Sequence, residues 1–229
     1  MSEYLVHLIP GSPFARAVLA TLEEKRAPYR VAAVQPGTLR SPQHLSLHPF
    51  GRVPVLEHGD FRLYETQAML RYLDRVLPDP PLTPADARRA ARMDQAMNVN
   101  DWYLFTGAGA VIGFQRVVAP RLMGIASDEA AIAAAMPKTR TAFEELARLL
   151  GAEPYFAGAT LTLADLMLAP QFDFLQKTPE WEALTSGLTN LAQWLARMQA
   201  RPSMLATSWE KVAARAAAGA PAAPRAAAG

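Results

Sequence analysis

The chain has 229 residues, of which 51% are hydrophobic, so it can bury the core of one large domain or of two modest ones. Its 23 Lys and Arg residues nearly balance its 21 Asp and Glu residues, and no basic block occurs, so neither charge nor composition indicates a nucleic-acid-binding protein. The absence of cysteine excludes disulfides, thiolate metal sites and thiol chemistry carried by the protein itself.

The start of the chain has none of the features that are typical of a targeting segment. Residues 1–4 include no basic side chain, the first apolar run ends at Pro10, and no 18-residue apolar stretch follows. We therefore expect neither a secretory signal nor a membrane span, and a cytoplasmic location. The four histidines form no His-Glu-x-x-His motif, so we expect no metal site.

The first 78 residues predict a small α/β domain. A strand over 4–9 ends at Pro10-Gly11, Ser12 has the features of a helix N-cap for a helix that reaches about Arg26, and a second strand follows over 29–34. This order predicts a βαβ unit with parallel strands. Strands over 53–57 and 61–64 then form a predicted hairpin, and a helix runs over 65–77.

A second, all-helical domain is predicted after a proline-rich linker at 79–85, because the four prolines among the seven residues 78–84 cannot continue a helix. We expect this domain to cover residues 86–216. Apolar residues at helical spacing predict helices over 86–119, 128–150, 162–176, 188–200 and 203–216. Residues 217–229 are mostly Ala and Pro without core-forming side chains, which predicts a disordered tail.

The predicted strand at 53–57 contains a proline, which cannot donate a hydrogen bond to a neighbouring strand. A cis Val53-Pro54 bond would turn the preceding backbone outward and leave the N–H and C=O of Val53 free to pair with a peptide-like ligand. The alternative is an edge strand whose proline blocks aggregation. The local sequence leaves both interpretations open.

The whole pattern resembles the cytosolic glutathione S-transferase family, which combines a thioredoxin-like domain with an all-helical domain. Four segments carry the resemblance: 12–18, 48–56, 64–68 and 162–165, in this order and spacing. The phi, zeta and beta classes of the family have the most similar patterns. The resemblance implies an enzyme that binds reduced glutathione and uses its thiol on a hydrophobic electrophile, by conjugation or peroxide reduction. It also implies a homodimer.

The resemblance assigns most of the glutathione-binding residues to the segments around Pro54 and the following helix start. Val53 before a cis Pro54 would pair with the cysteinyl part through its backbone, and Arg52 would bind the glycyl carboxylate, with Arg40 as a less certain second cation. Glu65 would bind the γ-glutamyl ammonium, and Thr66 the adjacent carboxylate. The family usually has Asn at the position of His48 and Ser at that of Thr66.

Ser12 occupies the position of the catalytic serine in the serine-type classes. A hydroxyl that donates to the sulfur, at the positive end of a helix, lowers the thiol pKa. The alternative is that Ser12 only caps its helix, and we expect one hydroxyl not to perform both roles easily. Tyr4 is the second candidate.

The electrophile pocket is expected between the start of the first helix, at Phe14, and the first long helix of the second domain. The candidate lining residues on that long helix are aromatic: Trp102, Tyr103, Phe105 and Phe114. Three glycines, Gly107, Gly109 and Gly113, are expected to loosen or kink it. In the second domain, residues 162–165 predict a structural capping box, without a catalytic role.

Within this family, the sequence leaves other functions open. A glutathione-dependent isomerase or dehalogenase would have the same binding residues, because the electrophile pocket lies in the variable helical domain. A non-catalytic binding or assembly module is the further alternative, and its ligand site would be expected to have decayed.

Overall fold

A computed structural model describes residues 3–219 of the chain. Contacts divide it into two compact units, one formed by residues up to Pro81 together with those from Ala200 onward, the other by Leu82–Gln199. The strands are β1 Tyr4–Leu8, β2 Tyr29–Ala33, β3 Val55–His58 and β4 Phe61–Leu63. The helices are α1 Pro13–Glu24, α2 Pro42–Leu47, α3 Thr66–Val76, α4 Ala87–Val99, α5 Asn100–Met123, α6 Glu129–Leu150, α7 Leu163–Leu175, α8 Trp181–Thr185, α9 Thr189–Gln199, α10 Pro202–Ala206 and α11 Trp209–Ala218.

The first unit is built on a mixed sheet with the strand order β2-β1-β3-β4. β1 and β2 are parallel, as the βαβ prediction requires, and β3 is antiparallel to both β1 and β4. Because β3 lies between two strands, the interpretation of Pro54 as an edge-strand device is wrong. The thioredoxin-like fold class is confirmed.

The helix α1 buries one apolar face, as its sequence pattern predicts. Val18, Leu19 and Leu22 are inaccessible to solvent, and α1 packs against α3. The hydroxyl oxygen of Ser12 caps the helix by accepting the N–H of Ala15 at 3.3 Å. The predicted helix start is therefore confirmed, and Ser12 is the last residue before it.

The last two helices belong to the first unit, where α10 packs against α1 and α11 against β2. Ion pairs hold them there: the guanidinium of Arg201 lies 2.8 Å from the Glu24 carboxylate. The prediction of one helix over 203–216 is wrong, because two helices cover this range. α10 ends at Ala206, and Ser208 caps α11 by accepting the N–H of Lys211 at 3.4 Å. The domain limits 1–78, 79–85 and 86–216 stay predictions.

The second unit consists of α4 to α9. Its core contains an aromatic cluster: Phe172 packs edge-to-face on Trp194 with ring centroids 5.4 Å apart, and the ring centroid of Phe143 lies 4.7 Å from that of Phe172. The helix predicted over 86–119 changes at Asn100 from α to π geometry and continues to Met123. Gly107 allows this wide helix to approach α6, where a Cβ at Gly107 would overlap the hydroxyl of Thr139.

Three short elements were not predicted from the sequence. They are the 3₁₀ turn Pro36–Thr38, α2 and α8. The predicted tail at 217–229 falls largely outside the described residues, and its first two residues end α11. Between residues 3 and 219, no helix is both long and apolar enough to cross a bilayer.

Candidate active site

The topology of the first unit brings three segments to one edge of its sheet. Because β3 runs antiparallel to β1 and β4, its start lies at the edge where those two strands end. Ser12 follows the end of β1, Val53 precedes the start of β3, and Glu65 follows the end of β4. Residues that are distant in sequence are therefore neighbours along this edge.

Ser12 closes a tight turn at the end of β1. Its N–H donates to the C=O of Ile9 at 3.0 Å, and Gly11, at the third position of the turn, has φ 90°. A proline at the second position and a glycine with positive φ at the third are typical of a type II turn. The turn presents Ser12, half-buried, at the N-terminus of α1.

The capping bond of Ser12 uses the hydroxyl oxygen as an acceptor and leaves its hydrogen unused. No acceptor among residues 3–219 takes that hydrogen. Capping and donation to a sulfur therefore use different parts of the same group. Whether one hydroxyl performs both roles stays a prediction.

Val53 lies between the turn 48–51 and Val55, the first residue of β3 that pairs with β1. The Val53-Pro54 bond is cis, as expected. In the described part of the chain, no hydrogen bond reaches the N–H or C=O of Val53. The Nε2–H of His44 donates to the C=O of Arg52 at 2.9 Å and so fixes the peptide group whose N–H belongs to Val53.

The turn from His48 to Gly51 shapes the adjacent surface. The N–H of Gly51 donates to the C=O of His48 at 2.9 Å, and the N–H of Phe50 donates to the Nδ1 of His48 at 3.3 Å. Gly51 has φ 61°, and a Cβ there would lie 2.7 Å from the carbonyl oxygen of Leu39. Only glycine fits this position, which keeps the loop of Arg40 against the turn.

His48 substitutes for asparagine in this turn because its Nδ1 accepts a main-chain N–H two residues ahead, as an Asn side chain does. Burial lowers the pKa of His48, Glu65 partly opposes this shift, and His44 and Arg52 add to it. The ring is thus kept neutral, the state in which Nδ1 accepts. His44 and His48, four residues apart, both hydrogen-bond to the main chain here: His44 to the C=O of Arg52 and His48 to the N–H of Phe50.

A cleft of about 460 Å³ opens beside the turn and is lined by Arg40, Pro49, Phe50, Arg52 and Glu65. It therefore combines two guanidinium groups with one carboxylate. Three of the predicted binding residues, Arg40, Arg52 and Glu65, line it together. The others, Val53, Pro54 and Thr66, are brought near by the chain path and do not line the cleft.

Glu65 has a backbone conformation that is rare outside glycine, with φ 70° and ψ 115°. Such strain costs on the order of 1–3 kcal/mol and is concentrated in proteins at ligand-binding positions. The exposed Glu65 side chain does not cap α3. Thr66 begins α3 and is 7% exposed, at a helix N-terminus that favours an anion.

The comparison with known proteins agrees with this geometry. The model of the glutathione S-transferase N-terminal domain matches residues 11–76, and that of the C-terminal domain matches residues 129–197. Glutathione S-transferase F14 of Arabidopsis thaliana is 32% identical over 198 residues, which cover 83% of this chain and 77% of that protein. The chain belongs to the glutathione S-transferase family.

Solved structures of other glutathione S-transferases have the same fold. Glutathione transferase F7 from Populus trichocarpa is 25% identical, with a TM-score of 0.80 over 93% of this chain and 99% of that one. A glutathione S-transferase I bound with lactoylglutathione is 27% identical, with a TM-score of 0.78 over 93% of this chain and 100% of that one.

Other candidate residues of this glutathione S-transferase lie elsewhere. Tyr4 pairs with His58 at the opposite end of β1 from Ser12, and the two rings stack at 4.2 Å. Burial raises the pKa of Tyr4, and Tyr72 adds to the shift. Ser12 is therefore the candidate that shares an edge with the cleft.

The expected electrophile pocket stays a prediction. In the first unit, Phe14 is half-buried in the first turn of α1. In the second unit, Trp102 and Tyr103 are 71% and 64% exposed on α5, while Phe105 and Phe114 on the same helix are half-buried.

Sequence reasoning missed three residues of this surface. Pro49 and Phe50 line the cleft, and both belong to the segment that carries the family resemblance, so the motif itself was a signal for them. His44 holds the Arg52 carbonyl from α2, a helix that was not predicted. Nothing in the sequence indicated this contact.

Proposed function

We propose that this glutathione S-transferase binds reduced glutathione in the cleft of Arg40, Arg52 and Glu65. In this proposal the thiol loses its proton beside Ser12, and the glutathionyl group is transferred through its sulfur to a hydrophobic electrophile. One observation carries the proposal: a cleft with two cations and one anion shares a sheet edge with a serine whose hydroxyl hydrogen is unused. Lactoylglutathione in a 27% identical relative supports the identity of the ligand.

The charged groups of glutathione complement the residues of the site. Its glycyl carboxylate is the natural partner of Arg52, with Arg40 nearby, because a guanidinium binds a carboxylate through two hydrogen bonds. Glu65 takes the γ-glutamyl ammonium. The γ-glutamyl carboxylate pairs with Thr66 and the N-terminus of α3, and the cysteinyl backbone pairs with Val53.

The chemical step depends on the thiolate, since a thiol with a pKa of about 8.5 is mostly protonated at neutral pH. The Ser12 hydroxyl donates to the sulfur, and the N-terminus of α1 adds a positive potential, so both favour the charged form. The thiol proton leaves to solvent. The sulfur then forms a bond to the electrophilic carbon, and a leaving group departs with the electron pair of the broken bond.

Calorimetry tests binding and ionisation together. We expect reduced glutathione to bind with release of a proton, measured from the dependence of the heat on buffer ionisation, whereas S-methylglutathione binds without it. Ser12→Ala should keep the affinity and lose most of the proton release at neutral pH. Absence of binding at millimolar glutathione would contradict the proposal.

Steady-state kinetics with an aryl halide test the role of Ser12. We expect Ser12→Ala to lower kcat by about 100-fold, a typical effect of losing one positioned hydrogen-bond donor to an anion, and to cost about 1 kcal/mol of stability as a lost cap. Asp128→Ala is the matched control, because Asp128 caps α6 in the same way, accepting an N–H at 2.9 Å. An equal loss of kcat in both variants would assign Ser12 to capping alone.

The family resemblance further supports a homodimer in the cytoplasm, which we include in the proposal. Light scattering of the purified protein measures the oligomeric state. A monomer at working concentrations would contradict this part without affecting the assignment of the cleft.

A further inference from the structure

The turn that presents Ser12 is covered by an aromatic ring from the other end of the chain. A Cβ at Gly11 would lie 2.6 Å from Cε2 of Trp209 and within 2.8 Å of two further atoms of the indole. Real Cβ atoms do not approach other atoms so closely, so the ring lies against the bare Cα of Gly11. Both this contact and the φ of 90° require glycine here.

Trp209 is held in this position by contacts that precede it in the chain. The guanidinium of Arg16 in α1 donates to the C=O of Met204 at 3.1 Å. The guanidinium of Arg201 binds both carboxylate oxygens of Glu24, at 2.9 and 2.8 Å. Residues 201–209 are therefore fixed to the helix that Ser12 caps, and the indole cannot drift independently of that helix.

From this arrangement we infer that Trp209 is a positioning residue for Ser12. The turn has one internal hydrogen bond, from Ser12 to Ile9, and its glycine has no side chain to pack. A flat ring on Gly11 limits rotation of the Gly11-Ser12 peptide group. It thereby fixes the direction in which the Ser12 hydroxyl donates. The inference rests on the proposed function, since it assigns Trp209 to the activation of the glutathione thiol.

The inference separates two measurable quantities. Arg52 and Glu65 are the residues proposed to bind the ends of glutathione. Among residues 3–219, no hydrogen bond, ion pair or ring contact joins either of them to Trp209, so the affinity for glutathione should not depend on the ring. Thiol ionisation and turnover depend on the Ser12 hydroxyl and should change. A role in general stability would instead lower the fraction of folded enzyme and leave the properties of the folded molecules unchanged.

The test compares Trp209→Phe with Trp209→Leu, which keep an apolar side chain with and without a flat face. We expect Trp209→Leu to lower kcat by ~10-fold or more, as misplacement of a catalytic group does. The pKa of the bound thiol, followed by ultraviolet difference spectroscopy, should rise toward its free value. The KM for glutathione should stay within about twofold, and Trp209→Phe should recover most of the loss.

Arg215→Gln is the matched control on the same helix. Arg215 pairs with Glu23 at 3.4 Å and stacks over the ring of Tyr29, so its loss loosens α11 without removing the ring from Gly11. We expect the wild-type thiol pKa in this variant. An Arg215→Gln enzyme with the same pKa change as Trp209→Leu would overturn the inference.

A double-mutant cycle with Ser12→Ala distinguishes failure of the inference from failure of the proposed function. If Trp209 acts through Ser12, Trp209→Leu should have no further effect on kcat in the Ser12→Ala background. Additive losses would overturn the role of Trp209 and leave that of Ser12 intact. A Ser12→Ala enzyme with wild-type kcat would instead overturn the proposed function itself.

Discussion

Asp165 in the second unit and Glu65 in the first are carboxylates near helix starts in opposite circumstances. Asp165 is fully buried and accepts four hydrogen bonds at 2.8 Å: from the main-chain N–H groups of Phe156 and Thr162, the Thr162 hydroxyl and the Trp194 indole. Glu65 is exposed, caps nothing and has a strained backbone.

The difference separates stabilising groups from binding groups. Each oxygen of Asp165 already has two donors, so it has no capacity for a ligand, and its capping box with Thr162 is the structural element that the sequence predicted. Glu65 retains its whole hydrogen-bonding capacity and requires the fold to hold it in an unfavourable conformation. A polar group whose hydrogen bonds are all made within the protein contributes to stability, while an exposed group on a strained backbone is available to bind a ligand.

The largest expected effect is that of Asp165→Ala. Four donors, among them the buried N–H of Thr162 and that of the Trp194 indole, would lose their acceptor. We expect the free energy of unfolding to fall by about 3–5 kcal/mol. Chemical denaturation measures this, with Asp128→Ala, an exposed cap, as the control at about 1 kcal/mol. A loss below that of the control would contradict the assignment of Asp165 as a central structural group.

Arg52→Ala should have the opposite profile. We expect the dissociation constant of glutathione to rise about 10- to 100-fold, since a charge-assisted contact is removed, with a change in stability within about 0.5 kcal/mol. Calorimetry and thermal unfolding measure the two quantities. Arg62→Ala is the control: it removes an exposed arginine of the same unit that pairs with Glu57 at 2.9 Å. Equal affinities in the two variants would contradict the assignment of the cleft.

Glu65→Gly should weaken glutathione binding and increase stability. Glycine adopts φ 70° without strain, so we expect the free energy of unfolding to rise by about 1 kcal/mol, while glutathione binds more weakly without the carboxylate. Glu65→Gln keeps the strained backbone and removes the charge, so it should lose affinity without gaining stability. A stabilised Glu65→Gln would show that the charge, and not the backbone, is unfavourable.

Stability should also depend on pH, and the two regions have opposite signs. The stabilisation by neutral His48 is complete above its unfolded pKa and is lost as the pH falls through its lowered folded pKa. Burial raises the pKa of Asp165 from 3.8 to about 6 although its hydrogen bonds oppose this shift, so its contribution to stability is largest below pH 3.8 and decreases as the pH rises through about 6.

His48→Asn isolates the first contribution, because Asn keeps an acceptor for the N–H of Phe50 and does not titrate. As the pH falls below about 6.5, the melting temperature of the wild type should fall faster than that of the variant. Thermal unfolding across this range measures the difference. Parallel curves would indicate that His48 does not contribute to the acid dependence.

Much of this molecule follows from local sequence, and the exceptions have physical causes. Periodicity and capping signals predict the strands, α1 and α3, because these elements are specified by residues close in sequence. Residues 35–42 have the composition of a loop, because Pro36, Gly37 and Pro42 usually interrupt structure; here the two prolines instead begin helical turns. The three glycines after Asn100 predict a loosened helix, but no local pattern predicts that π geometry begins at Asn100.

The candidate site divides in the same way. Arg52, Val53 and Glu65 belong to segments with recognisable patterns, so the sequence predicts their approximate roles. The positive φ of Glu65, the His44 contact with the Arg52 carbonyl and the position of Trp209 depend on tertiary structure. Chain segments far apart in sequence create these features, so no local pattern predicts them.

The packing of α10 and α11 within the first unit determines when that unit can complete its folding during protein synthesis. Residues up to Pro81 leave the ribosome before the whole of the helical unit, yet their compact unit includes residues from Ala200 onward. A nascent chain that has not reached Arg201 has no partner for Glu24 and no ring over Gly11. The turn that carries Ser12 therefore acquires its last contacts only after the helical unit has been translated.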